Sequence, residues 1–363
     1  MSLDIFSVSQ MLAKIIFVIA VCLGVIPFIV WFERRGAAWM QGRVGPNRVG
    51  PFGLLQPLAD VIKFFFKEDW SPRNANKFYY FLAPTLALIA PLAAMTIIPF
   101  GSFAVINDQV INLQIANIDS GVLFLLAFAG LEVYPLILAG WASNNKYSVF
   151  GALRGSSQIV SYEISMALAL LSILMVYGSF DPHKMVEFQN QKIFGIIPMW
   201  GVFLNPIGAL IFWIATFAET NRLPFDLAEG EAELVAGYHL EYGAMKFAVF
   251  FMAEYIAMIM ASAFLATIFF GGYNLLPGMY FVVQKIGTHF ALADIGMQNL
   301  KAGFQFLSLF IKVAFFIFVM IWIRWTLPRF RFDQLMDLGW KILFPLALTN
   351  LIFMSGVVYF LNR

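Results

Sequence analysis

Glutamates inside apolar stretches are the first candidates for chemistry in this chain. Glu132, Glu163 and Glu254 each interrupt a long apolar run, and Glu219 closes another. A charge at the middle of a bilayer costs at least about 2.5–3.5 kcal/mol, so such residues persist where they face protein and have work to do. A buried carboxyl exchanges protons near neutral pH, because burial disfavours its charged form. Acids at matching depth on neighbouring helices would form a polar track for protons, whereas any one alone is equally a hydrogen-bonded helix contact. The segment 219–245 adds Asp226, Glu229, Glu231, Glu233 and Glu241, with Arg222 as the balancing cation. Most acidic runs are solvated surface. Here Phe225, Leu227, Leu234 and Val235 are interleaved with the acids, which predicts a packed loop.

The elements that must hold these residues follow from composition. Of 363 residues, 61% are apolar and 12% charged, against about 25% charged in soluble domains. Such a chain cannot cover a water-facing exterior, which excludes a soluble domain, a disordered chain and a secreted disulfide scaffold. Cys22 is the single cysteine, so neither an intrachain disulfide nor a cysteine metal cluster can form. His183, His239 and His289 lack the i, i+4 spacing of a helical metal site. The net charge of +2 does not point to nucleic acid.

A membrane span needs about 20 mostly apolar residues. Stretches at 11–32, 78–101, 120–142, 156–178, 199–218, 246–271, 303–323 and 341–361 qualify. The expectation is an all-α integral membrane protein, one polytopic domain over 1–363 with eight transmembrane helices. The first stretch is too long for a cleaved signal and follows Asp4 rather than a basic cluster. Arg34, Arg35, Arg43 and Arg48 crowd the segment after it, and Arg324, Arg329 and Arg331 the one after the seventh. The opposite side carries only Lys184, Lys192, Lys285, Lys301 and Arg363. Basic residues mark the inner face, which places both termini outside and the loops 33–77 and 219–245 inside. Within the first loop, Gln56, Asp60, Lys63 and Lys67 share one helical stripe, and Leu55, Leu58, Ile62, Phe65 and Phe66 fill the rest. That predicts an amphipathic helix at the interface. It is either a plain surface anchor or a wall whose Asp60 and Lys63 face a cavity. Arg34 and Arg43 read first as topology signals. His239 could carry protons, although a lone histidine is more often structural. Lys312, inside the seventh stretch, could pair with a span carboxylate.

The Gly-Pro-Arg-rich stretch Gln41-Gly42-Arg43-Val44-Gly45-Pro46-Asn47-Arg48-Val49-Gly50-Pro51, with Glu33-Arg34-Arg35 before it and Gln56-Pro57-Leu58-Ala59-Asp60 after, carries a resemblance. So do Ala152-Leu153-Arg154 with Gln158 and Ser161-Tyr162-Glu163, then Ala218-Glu219-Thr220-Asn221-Arg222-Leu223-Pro224-Phe225-Asp226-Leu227, and finally Arg324-Trp325-Thr326-Leu327-Pro328-Arg329. Together these resemble the H subunit (subunit 1) family of proton-pumping NADH:quinone oxidoreductase, respiratory complex I, over almost the whole chain. The resemblance implies a subunit of that enzyme with no independent activity, and a quinone substrate at the subunit interface. It implies no flavin or iron–sulfur cluster on this chain, so electrons come from partners. Those partners are the peripheral-arm iron–sulfur and quinone-site subunits, neighbouring membrane-arm subunits and membrane lipid. It implies that Arg34, Arg43, Asp60, Lys63, Arg222, Phe225 and Asp226 line or gate the quinone path. Glu132, Glu163, Glu219, Glu229, Glu231, Glu233 and Glu254 would couple quinone chemistry to proton movement. The location implied is a bacterial or mitochondrial inner membrane. Two alternatives stay open: the equivalent subunit of an energy-converting hydrogenase or related dehydrogenase, and a stand-alone proton-coupled transporter. Transporters commonly carry internal repeats, and none is visible.

Overall fold

The computed structural model describes residues 5–106, 109–193, 197–290 and 293–361. Helices form nearly all of its regular structure. In chain order they are α1 (Ile5–Met40), α2 (Gln56–Phe66), α3 (Lys77–Met95), α4 (Gly121–Gly130), α5 (Val133–Ala142), α6 (Lys146–Tyr177), α7 (Pro182–Gln189) and α8 (Gly201–Leu204). Then follow α9 (Pro206–Glu219), α10 (Glu231–Leu234), α11 (Ala244–Phe269), α12 (Met279–His289), α13 (Asp294–Thr326), α14 (Phe332–Asp337) and α15 (Phe344–Leu361). Two short 3-10 turns (Pro51–Gly53 and Gly237–His239), a π-helical segment (Leu338–Leu343) and two small antiparallel hairpins are also present. β1 (Phe103–Ile106) pairs with β2 (Gln109–Asn112), and β3 (Lys192–Ile193) with β4 (Ile197–Pro198).

Seven segments among the described residues are long and apolar enough to cross a membrane: Val8–Met40, Lys77–Met95, Gly121–Ala142, Lys146–Tyr177, Ala244–Phe269, Asp294–Thr326 and Phe332–Leu361. The chain is an all-α, multi-pass membrane protein. The fifth expected stretch, 199–218, is instead broken into α8 and the 14-residue α9. Pro206 brings no backbone N–H, and Asn205 leaves helical geometry and uses its side chain to cap Gly208 N at 2.9 Å. At 1.5 Å per residue, α9 is about 21 Å long, shorter than the roughly 30 Å hydrocarbon layer. The third stretch also breaks. Pro135 cannot donate to the Leu131 carbonyl, so α4 ends at Gly130 and α5 starts at Val133 with Glu132 at the joint.

Two boundaries differ from the sequence reading. α1 runs on to Met40, because Gly36, Ala37 and Ala38 pack inside and keep the helix going. Glu33, Arg34 and Arg35 are therefore helical, and the loop proper begins at Gln41. α2 stops at Phe66, so Lys67 leaves the stripe it shares with Asp60 and Lys63. The loop between is compact. Trp31 Nε1 and Arg35 Nη1 both donate to the Phe52 carbonyl at 3.0 Å, and the Arg35 guanidinium lies over the Trp31, Trp39 and Phe52 rings. Gly53 adopts φ +76°, and a Cβ there would fall 2.3 Å from the Pro46 carbonyl oxygen.

The core lies between α6, α9, α11, α13 and α15. Met166, Leu170, Ile211, Phe212, Leu265 and Phe269 are almost wholly buried. A polar knot also ties three helices. Asn205 Nδ2 and Asn350 Nδ2 donate to Ser172 Oγ at 2.6 and 3.1 Å. Such bonds between helices contribute roughly 0.6 kcal/mol each on average in membranes. Among the described residues, Lys312 pairs with no carboxylate. Its Nζ donates to the carbonyls of Gly272 (2.7 Å) and Asn274 (2.9 Å) beyond the end of α11, and lies over the Trp200 ring.

Candidate functional site

The short turn after α9 sets the site. Gln158 Nε2, on α6, donates to the carbonyls of Ala218 (2.7 Å) and Phe225 (2.6 Å), clamping both ends of that turn. Asn221 takes a left-handed conformation (φ +49°), and Arg222 N returns to Phe217 O. The turn drives the Arg222 side chain into the protein, where it is 2% exposed.

There Arg222 meets two acids from two helices. Its Nη1 donates to Glu33 on α1 at 3.0 and 3.2 Å, and its Nε lies 2.7 Å from Glu254 Oε1 on α11. Glu33 also accepts from Arg324 Nη1 (2.5 Å) and Tyr255 OH (2.8 Å), and the Arg222 guanidinium sits over the Tyr255 ring at 4.7 Å. Next to this hub, Arg329 Nη2 donates to Asp226 Oδ2 at 2.6 Å, while Asp226 Oδ1 is buried without a partner among the described residues. Burial pushes the Asp226 carboxyl up to about 6, with Arg329 opposing and Glu254 reinforcing. The opposed attractions of Glu254 and Glu33 outweigh the burial of Arg222 and keep it charged.

On the Glu254 side of Arg222 lies a cavity of about 60 Å³, lined by Glu132, Glu219, Glu229, Glu254, Tyr238 and Asn221 among others. One water needs about 10–15 Å³ of such space, so a few fit. Glu132 comes from the α4–α5 joint, Glu219 from the last residue of α9, Glu229 from the acidic loop and Glu254 from α11. Glu132 Oε1 is buried without a partner among the described residues. Burial and the charges of Glu254 and Asp226 push the Glu229 carboxyl well above the usual carboxylate range. Glu163 does not line this cavity. It lies on α6, half-buried against Gly130 of the same joint, within electrostatic reach of Glu219.

On the other side of the hub is a larger cavity, about 360 Å³, walled by apolar residues of α1, α11 and α13 and by the end of α3. Phe32 and Ile321 belong to its lining. Glu33 follows the first directly, and Arg324 lies about one helical turn beyond the second.

The remaining sequence candidates spread over the inner surface. Arg34 Nη1 pairs with Asp60 Oδ2 at 2.5 Å and so fastens α2 to α1, with Gln56 Nε2 supporting Asp60 at 3.3 Å. The apolar residues Leu58, Val61, Ile62, Phe65 and Phe66 of α2 are exposed, as an interfacial helix requires. Lys63 is exposed, and Arg43 donates to Gln41 Oε1. Phe225 packs between the Tyr162 and Phe330 rings and lines neither cavity. Glu233 pairs with Arg154 at 2.5 Å. The side chain of Glu231 lies outside the described residues.

Sequence reasoning gave no electrostatic role to Glu33, Arg324, Arg329 or Tyr255. Glu33 and Arg324 stand in basic flanks and read as membrane-boundary charges. The available signal was the acid itself, since a stop-transfer flank has no need of one.

The model of the family described as NADH dehydrogenase matches residues 13–355. Among similar proteins, the H subunit of the NADH-quinone oxidoreductase of Bdellovibrio bacteriovorus is 42% identical over 99% of this chain and 98% of its own length. The corresponding protein of Salinibacter ruber is 48% identical over 92% of this chain and 91% of its own. NADH-quinone oxidoreductase subunit 8 of Rhodothermus marinus is likewise 48% identical, over 92% of each.

Proposed function

The chain belongs to the NADH dehydrogenase family as a membrane subunit of the NADH-quinone oxidoreductase complex, and from that premise we propose that it forms part of the quinone chamber and couples quinone reduction to proton translocation. The observation that carries this reading is the position of Arg222. One buried guanidinium contacts Glu33 at the edge of the apolar cavity and Glu254 in the wall of the carboxylate cavity. A unit change of charge about 4 Å away is worth about 4 kcal/mol at an effective dielectric of 20, or about three pKa units. In this reading, charge appearing on a reduced quinone beside Glu33 and Arg324 shifts the Arg222 guanidinium between Glu33 and Glu254, and Glu254 responds to that movement.

In this reading the lipid quinone enters from the bilayer beside α1 and α2. Arg34, Asp60, Arg43 and Lys63 stand at the mouth, and the apolar cavity receives the isoprenoid tail. Arg222 and Asp226 sense the head group, and Phe225 stiffens the turn that carries them. Glu163, Glu219, Glu132, Glu229 and Glu254 form the proton track, with Glu231 and Glu233 at its loop end. Reducing electrons come from iron–sulfur subunits of the peripheral arm, which dock on the inner loop where Val44 and Phe52 are exposed. Neighbouring membrane-arm subunits and lipid cover the flanks. This chain itself binds neither flavin nor cluster. It crosses a bacterial inner membrane with α9 as the eighth crossing and both termini on the outer side.

The test is Arg222→Lys in the assembled complex, which keeps the charge but cannot reach both acids. Quinone reduction should persist at a reduced rate while protons translocated per quinone fall. An unchanged ratio would remove Arg222 as the link.

A further inference from the structure

We propose that His239 is a positioning residue for Glu229, its Nδ1 accepting the carboxylic proton's hydrogen bond when Glu229 turns away from the carboxylate cavity. The inference rests on the coupling role proposed above for that cavity.

A tight fold of the backbone brings the two residues together. Gly237 adopts φ +59°, and a Cβ there would collide with the Ala228 carbonyl oxygen at 1.8 Å. Only glycine lets the chain fold back on 228–229. Tyr238 N then donates to Ala228 O, and His239 Nδ1 comes to 3.9 Å from Glu229 Oε1. His239 is 7% exposed, and its Nδ1 is buried with no hydrogen-bond partner among the described residues. A buried acceptor left unpaired is costly. Nitrogen–oxygen bonds form at 2.7–3.2 Å, so a shift of the Glu229 carboxyl by about an ångström closes the gap.

Among the described residues, the ring contacts of the imidazole are aromatic side chains. Tyr238 stands edge-on to it at 4.9 Å, and α11 presents Phe247 and Phe251 at 5.3 and 6.1 Å. The charges acting on Glu229 are Glu254, Asp226, Arg324 and Arg222. Burial pushes His239 down to about 4, so its ring is neutral at physiological pH. The same burial, with the charges of Glu254 and Asp226, raises the Glu229 carboxyl and so favours its protonated form. In that form a protonated donor faces a neutral acceptor. No proton changes owner. The hydrogen bond holds the proton on Glu229 and gives that side chain a second resting place, behind the cavity wall.

The experiment uses the assembled complex in vesicles and follows quinone reduction and proton translocation against pH. His239→Phe keeps the ring packing and removes the acceptor; His239→Gln returns an acceptor oxygen. Losing the acceptor weakens proton binding by Glu229. The alkaline limb of the profile should move to lower pH by about one unit, a tenfold change in proton affinity. His239→Gln should recover most of that shift. A His239→Phe limb that coincides with the parent's, or a Gln variant displaced as far as Phe, overturns the proposal. If His239→Phe does not assemble, His239→Met removes the ring nitrogens at similar volume and faces the same comparison. Glu229→Gln separates the two claims. If it leaves profile and translocation unchanged, the cavity's coupling role fails. If it alters them and His239→Phe does not, this inference alone fails.

Discussion

The hub around Glu33 and the cavity around Glu132 lie on opposite sides of Arg222 and are built by opposite rules. In the hub every acid has a cation. Glu33 has Arg222 and Arg324, and Asp226 has Arg329. In the cavity the acids chiefly face one another, and Arg222 reaches only Glu254. The first arrangement fixes charges in place. The second leaves groups whose charge must be negotiated among neighbours, because like charges close together cannot all ionise. One guanidinium joins them, so a fixed array of charge is set against a protonatable one.

The sharpest way to break this contrast is to neutralise one acid on each side. Glu33→Gln leaves Arg324 without its acid and Arg222 with Glu254 alone, and removing one partner of a buried pair costs about 3–5 kcal/mol. Most assembled complex should be lost, as read by its yield in mild detergent and its melting temperature. Glu132→Gln removes an acid without a cation partner and should stay within about 1 kcal/mol of the parent. Equal damage from both would erase the distinction.

Within the proposed proton track, Glu163→Gln should depress proton-coupled quinone reduction more than Glu163→Asp. Gln keeps shape and hydrogen bonding but cannot ionise; Asp ionises on a shorter arm. Reductase rate and pH-gradient formation, normalised to assembled complex, decide it. Full pumping in the Gln variant would strip Glu163 of a relay role.

Asp226 stands between the two rules, and pH reads it. Its folded pKa is raised to about 6, from about 3.9 in an unfolded chain. Its contribution to stability is therefore complete below about pH 4 and lost as pH rises through 6. His239, lowered to about 4, works the other way, losing its contribution as pH falls from about 6.5. The difference between the Asp226→Asn and parent melting curves over pH 4–7 isolates Asp226. The Asn variant should lack the decline through pH 6, and parallel curves would place that titration elsewhere.

The smallest effect belongs to the surface clasp. Arg34 and Asp60 are 46% and 25% exposed in their side chains, and exposed pairs are worth about 0–1 kcal/mol. Arg34→Ala or Asp60→Ala should leave assembly intact and slow quinone reduction a few-fold, with little loss of electron transfer to a soluble acceptor. Equal loss of both activities would take this clasp off the quinone path.

How much of this was legible in the sequence varies with the range of the interaction responsible. Apolar runs, the intramembrane glutamates and the α2 stripe were readable, because burial in lipid and helical periodicity act between residues close in the chain. The two broken spans also obey a local rule, since Pro135 and Asn205-Pro206 stand in the sequence, although apolar composition hid the break at Asn205. The contacts of Glu33 were not readable. Arg222 lies 189 positions away and Arg324 lies 291 away. Nothing in the flanks of either arginine separates a topology charge from a buried partner. Phe225 shows the reverse case: its motif pointed to a ligand path, and the fold seats its ring against Tyr162 and Phe330. The sequence by itself determined a multi-pass helical membrane protein with acids in its spans and an amphipathic helix beside the first. Only the tertiary structure decided which acids have cations and which share a cavity. A charge in a low-dielectric interior answers to whatever lies within a few ångströms, and that is a property of packing, not of order along the chain.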